Sequence, residues 1–223
     1  YDEEEEAQFA LKEVNRLVKE EGYSPGDCAI MYRVNAQSRA LEEACVRYGM
    51  KYKLVGGIRF YQRREVKDVI SYLRLLNNPD DEVSLTRVIN VPLRGIGQRT
   101  VHELTRWARS AGVSLFTALQ RASAGGDSLA DAPAPPLPPR AAKPIAGFFQ
   151  MLSSLAAESR SLNVVELIDA VLDRTGYKSY LYERSDAAEE RWENILELKT
   201  TSQEFANAEP PDGLRDLLER LAL

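Results

Sequence analysis

Asn90-Val-Pro-Leu-Arg-Gly-Ile-Gly-Gln-Arg-Thr-Val-His-Glu-Leu104 is the stretch on which the reading of this chain turns. Two glycines flank one isoleucine, and an amphipathic helical pattern follows at once. Gly95 and Gly97 let the backbone turn sharply and let a ligand come close, while Ile96 can anchor the turn in an apolar layer. The first amides of a helix starting at Gln98 have no partner within that helix, so they offer an anion site by geometry. Arg94, Arg99 and the hydroxyl of Thr100 add groups that would fix a phosphate. The same residues are also compatible with a plain glycine turn between two helices. Under either reading the turn separates helices.

Outward from the turn the pattern stays helical. Upstream, Val66, Val69, Ile70, Leu73 and Leu76 recur at three- and four-residue steps as far as Asn77-Asn78-Pro79, and Ser84 to Asn90 is a further candidate helix. Downstream, the spacing predicts helices over 98–111, 114–121, 143–158, 164–174, 187–205 and 214–221, with Gly112, Gly176 and Pro210-Pro211 as breaks. Residues 122–140 are Ala, Ser, Gly and Pro, with five prolines in nineteen positions, and predict a flexible surface loop.

The N-terminal stretch reads differently. Acidic residues 3–6 open a helical segment carrying Phe9, Val14, Leu17 and Val18, which Gly22 and Pro25 end. Cys28 to Tyr32 predicts a buried strand, Ser38 to Tyr48 a helix and Lys51 to Val55 a second strand. Helix, strand, helix, strand is the order of a parallel α/β sheet, but two strands do not complete one. The fold class expected is therefore mainly α, with a partial α/β segment over 1–60 followed by an all-helical domain over 61–223.

Composition excludes several classes. With 223 residues and 44% hydrophobic content the chain can bury a core. Cys28 and Cys45 have sixteen residues between them and no histidine nearby, which supports neither a disulfide framework nor a zinc site and suits a cytoplasmic setting. His102 is the only histidine. There is no long apolar run for a membrane and no secretory leader. No phosphate-binding G-x-x-x-x-G-K-[ST], G-x-S-x-G or H-E-x-x-H pattern occurs, so neither a self-contained nucleotide site nor a catalytic or metal centre is expected.

The net charge of -5 argues at first against nucleic acid. It averages two unlike parts. From Arg33 to Arg106 there are 14 Lys and Arg against 8 Asp and Glu, an excess of +6, which leaves 15 against 26, or -11, elsewhere. The basic stretch contains the glycine turn and a second motif, Met31-Tyr-Arg-Val-Asn-Ala-Gln-Ser-Arg-Ala-Leu-Glu-Glu43. There, Arg33, Asn35, Gln37, Ser38 and Arg39 follow a predicted strand and open a helix, where a polyanion could lie. Alternatively, Ser38 caps the helix and Arg39 pairs with Glu42 or Glu43. Lys67 and Arg74, seven apart on one predicted helix, either extend the basic face or are simply solvated. Trp107, Trp192 and the Tyr177, Tyr180 and Tyr182 group read as helix packing.

The glycine turn resembles the hairpin of helix-hairpin-helix DNA-binding units. More widely, Tyr32-Arg-Val-Asn-Ala-Gln-Ser-Arg39, Val55-Gly-Gly-Ile-Arg-Phe-Tyr-Gln-Arg-Arg-Glu-Val-Lys-Asp68, Ser71-Tyr-Leu-Arg-Leu75 and Val91-Pro-Leu-Arg-Gly-Ile-Gly97 closely resemble the UvrD/PcrA/Rep superfamily 1 DNA helicases. Residues 166–181 and Arg191-Trp-Glu-Asn-Ile-Leu-Glu-Leu198 are similar to that family too. The resemblance implies that 1–60 is part of the second RecA-like motor domain, 2A, of P-loop NTPase type, and that 61–223 is the helical 2B domain. It implies an internal fragment of a helicase that works 3′ to 5′ in DNA repair or replication and carries no ATP site of its own. ATP and Mg²⁺ would belong to the parent protein, and the partners would be a single-strand/duplex DNA junction and a repair protein. Arg33 and Asn35, with Arg39 beside them, would meet the single strand. Gly95, Ile96, Gly97 and Thr100, with Arg94 and Arg99, would hold the duplex, and Lys67 and Arg74 would lie on a neighbouring duplex-facing helix. Leu93 departs from the family, which often has a polar or basic residue there, and the proline-rich 133–139 loop is unusual. A free-standing DNA-binding module and a helical protein-interaction platform are the competing readings.

Overall fold

The computed structural model of the chain describes residues 3–55, 57–124 and 135–221. Eleven α-helices occur among the described residues: α1 (Glu3–Glu20), α2 (Ser38–Arg47), α3 (Arg64–Asn77), α4 (Glu82–Val88), α5 (Gln98–Ala111), α6 (Leu115–Ser123), α7 (Pro139–Glu158), α8 (Val164–Thr175), α9 (Tyr177–Arg184), α10 (Ala188–Ser202) and α11 (Asp212–Arg220). Local chemistry explains their ends. The Asp81 carboxylate accepts from the Ser84 amide at 3.0 Å, so α4 starts two residues before the position that spacing predicts. Gly112 and Gly176 close α5 and α8 in the left-handed conformation, and Asn163 with Glu166 forms a reciprocal cap on α8. Pro139 stands at the first turn of α7, where its missing N–H costs nothing.

Helix α3 is the axis of the main core. Val66, Val69, Tyr72 and Leu73 on it are fully buried, and it packs against α4, α7, α8, α10 and α11. A smaller core joins α1 to α2 through Ala7, Leu11, Ala40, Ala44 and Cys45, and the three alanines and the cysteine let the two helices approach closely.

Polar groups carry much of the contact between the N-terminal segment and the helical body. Arg63, buried just before α3, donates to the Asn35 carbonyl and the Ser38 hydroxyl, both at 2.8 Å, and to the Asn194 side chain at 2.5 Å. Asn194 in turn donates to Glu65 at 2.7 Å.

Two expectations fail here. No described residue lies in a β-strand, so the strands predicted over Cys28–Tyr32 and Lys51–Val55 are not formed. A strand is held by hydrogen bonds to a neighbouring strand, and among the described residues neither run has one. Met31 is 94% exposed rather than buried. Residues 51–55 nonetheless keep the alternation of a one-sided strand: Tyr52 and Leu54 are half-buried, whereas Lys51, Lys53 and Val55 are exposed. The loop predicted over 122–140 is also shorter than expected, since α6 continues to Ser123, Pro135 is buried and α7 begins at Pro139. The part of that expectation over 125–134 lies outside the described residues.

Candidate nucleic-acid interface

The turn between α4 and α5 is organised by one side chain. The Asn90 carboxamide oxygen accepts from the amides of Arg94 at 2.8 Å and Ile96 at 3.2 Å, folding the backbone around itself. Ile96 is fully buried, and Gly95 sits at φ +80°, a conformation that side chains rarely tolerate. Gly97 then precedes α5 with no side-chain cap, and a Cβ there would meet open space. The amides at the start of α5 are thus uncovered by side chains, and the Thr100 hydroxyl has no hydrogen-bond partner among the described residues. Arg99 is 86% exposed and pairs with Glu103 at 3.0 Å, a surface contact weak enough to yield to a phosphate.

Arg94 has a different place from the one expected. Its guanidinium turns inward, donating to the carbonyls of Val88 at 3.2 Å and Pro92 at 2.9 Å and to the Tyr72 hydroxyl at 2.8 Å, with the Phe148 ring 5.2 Å away. Tyr72 donates onward to Val91, and burial pushes its phenol up to about 12 despite the opposing charge of Arg94. Arg94 therefore braces the turn from behind, because the carbonyls at the end of α4 need a donor.

On α3, the residues from Arg64 to Leu75 that are not buried are Arg64, Lys67 and Arg74. They form a basic stripe at helical spacing. Lys67 has no side-chain partner among the described residues, and Arg74 is near enough to Asp81 to help lower that carboxyl. Arg64 was missed in the sequence, although its three-residue step to Lys67 was visible.

The second motif divides. Arg33 is exposed, and its amide is held at 3.1 Å by the Gln37 side chain. Asn35 donates its side-chain N–H to Glu190. Arg39 is only 4% exposed and bonds to Glu197 and, at 2.9 Å, to Glu43. Burial alone would lower its pKa, but these carboxylates outweigh it and hold the guanidinium charged. The structure thus places Arg33 and Asn35 on one turn and turns Arg39 into the interior, in the pairing with Glu43 that the sequence offered as its alternative role. Asn90, Arg63 and Asn194, which position these elements, lie within the motif stretches of the sequence but carry no signal there that marks their positioning roles.

Among the described residues there is no His, Cys, Asp and Glu group able to hold a metal ion, and no helix is long and apolar enough to cross a membrane. Residues 1–127 match the model of the UvrD-like helicase C-terminal domain, and the chain belongs to that family. The chain is 39% identical over 236 residues to the ATP-dependent DNA helicase UvrD1 of Mycobacterium tuberculosis (strain ATCC 25618 / H37Rv), a match covering 99% of this chain and 30% of that protein. It is 36% identical over 219 residues to the ATP-dependent DNA helicase PcrA of Bacillus subtilis (strain 168), covering 98% of this chain and 28% of the relative. The PcrA of Staphylococcus aureus (strain NCTC 8325 / PS 47) is likewise 36% identical over 210 residues, 93% of this chain and 27% of that one. The chain thus spans less than a third of the length of these relatives.

Proposed function

We propose that the chain is a segment of an ATP-dependent 3′ to 5′ DNA helicase, in which residues 1–60 belong to motor domain 2A and residues 61–223 form the 2B domain that grips duplex ahead of the fork. The observation that carries the reading is the uncapped start of α5, with Gly97 open to solvent and the Thr100 hydroxyl unpartnered beside it. Amides, a hydroxyl and Arg99 converge there in the manner of a helix-hairpin-helix unit, binding phosphate without reading bases. Lys67 and Arg74 extend the same grip along α3, while Arg33 and Asn35 face the single strand.

The division into two parts is supported by surface chemistry. Of the twelve exposed large apolar residues among those described, eight lie before residue 60, including Phe9, Met31, Val46 and Val55. Such a concentration is what further parts of the motor domain would cover. ATP and Mg²⁺ act in the parent protein, outside this segment, and this part contributes positioning rather than chemistry. A DNA junction is its partner, a repair protein a further one, and the cytoplasm its setting.

The test is binding of a labelled forked DNA to the chain and to Gly97→Ala. The added methyl enters open space, so the fold is kept while phosphate approach is blocked. Affinity should fall about tenfold, equivalent to about 1.4 kcal/mol. It should also weaken steeply as salt rises from 50 to 200 mM, because bound phosphates release counterions. Affinity insensitive to both would leave the interaction-platform reading in its place.

A further inference from the structure

A cleft of about 260 Å³ opens beside the turn, between the start of α3, α9, the start of α10 and Leu93. Its lining includes Tyr177 and Leu181, both buried, together with Arg64, Arg184, Arg191 and Tyr180. None of the three arginines has a carboxylate partner among the described residues, and the cleft gathers all three around one opening. Arg64 reaches only the Tyr180 hydroxyl, at 3.4 Å, and Arg184 lies 6.0 Å from the Tyr180 ring. The single carboxylate in the lining, Glu65, is 5% exposed and bonded to Asn194. Three guanidiniums without counter-ions around a tyrosine favour an anion that also brings a flat or apolar portion.

We propose that this cleft is a phosphodiester subsite, with Arg184 and Arg191 holding one backbone phosphate and Tyr180 supporting the adjoining sugar or base. Leu93 fixes its relation to the α5 turn. Leu93 and Gly97 are four positions apart, a reach of about 14 Å at most, so the turn and the cleft lie within a few phosphates of each other. One nucleic-acid strand seated on the turn therefore enters the cleft without leaving the surface. This inference rests on the DNA-binding reading of the turn and adds to it a second anchor, on α9 and α10.

Forked-DNA binding by the chain, titrated with salt, tests it. The Arg184→Ala/Arg191→Ala pair should lower affinity about tenfold at low salt and flatten the salt slope by about 0.9 for the lost phosphate contact. Arg191→Gln should give part of that loss, and Arg160→Ala, an exposed arginine elsewhere, none. Unchanged binding in the double variant, at an unaltered melting temperature, overturns the subsite, as does an equal loss in Arg160→Ala. If Gly97→Ala weakens binding and the double variant does not, the turn stands and the cleft falls; the reverse result keeps the cleft and removes the turn. A glutamate-rich peptide that binds the native chain but not the double variant, with DNA binding unaltered, would give the cleft to a protein partner and overturn the proposal.

Discussion

Glu197→Ala removes the carboxylate that holds the Arg39 guanidinium from α10. Arg39 is 4% exposed, and without Glu197 its remaining polar contacts are Glu43 at 2.9 Å and a distant Glu3 at 4.0 Å. Breaking a buried ion pair from one side costs about 3–5 kcal/mol, because the surviving charge stays desolvated. Glu43 stays in place, so the lower end, about 3 kcal/mol, applies. With a urea dependence of about 2 kcal/mol per molar, the midpoint should fall by about 1.5 M. Replacing both partners by apolar residues, Arg39→Met with Glu197→Leu, should recover most of that loss, since neither charge is then stranded. Equilibrium urea unfolding followed by circular dichroism reads both shifts. A Glu197→Ala midpoint within about 0.3 M of the native one would refute the reasoning, for it would mean that Arg39 reaches water easily. Arg39 could then serve as a contact for the single strand, and Arg39→Met would cost binding without costing stability.

Asn90→Ala deprives the Arg94 and Ile96 amides of their acceptor and should cost about 1–3 kcal/mol in urea unfolding together with a loss of forked-DNA affinity, whereas Asn90→Asp, which keeps an acceptor, should retain both. Burial would raise the Asp81 carboxyl, but its bonds from Ser84 prevail and hold it below the ordinary 3.8. The cap is therefore complete above about pH 4 and is lost as pH falls through the lowered value, so Asp81→Asn should flatten the decline in stability measured below pH 4. Glu190→Ala releases the Asn35 side chain and should raise affinity for a single-stranded oligonucleotide by about two- to fivefold, the equivalent of an exposed pair of up to about 1 kcal/mol. Unchanged affinity would show that Asn35 does not meet the strand.

Helix α5 was legible to the residue because Gly97 and Gly112 bracket it and the apolar period between them is unbroken. Ile96 as a buried anchor was legible because it is the apolar residue held between Gly95 and Gly97. The inward turn of Arg94 was not, since its acceptors are carbonyls of Val88 and Pro92, and backbone oxygens leave no trace in composition. Arg39 was legible only as a choice: its four-residue step to Glu43 is local, whereas Glu197 lies 158 positions away. The cleft escaped notice because Arg64, Arg184 and Arg191 come from three helices joined only by the fold. The predicted strands failed for a converse reason. Residues 28–32 and 51–55 have strand composition, but a strand is a property of a pair of segments, and period alone cannot supply the neighbour.

Arg63, with the Arg39–Glu197 pair and the contact of Arg220 with Glu43 at 3.5 Å, makes the joint between the first sixty residues and the helical body largely a matter of charge and hydrogen bonds. An apolar seam resists parting in proportion to its area and closes again in many registers. Guanidinium, carboxylate and amide groups behave otherwise: each is costly to leave without its partner once buried, and the fixed fork of an arginine accepts one seating and rejects its neighbours. The joint is thus keyed rather than glued, with a single home position on return and, because Arg39, Arg63 and Glu197 are buried, little sensitivity to the surrounding electrolyte.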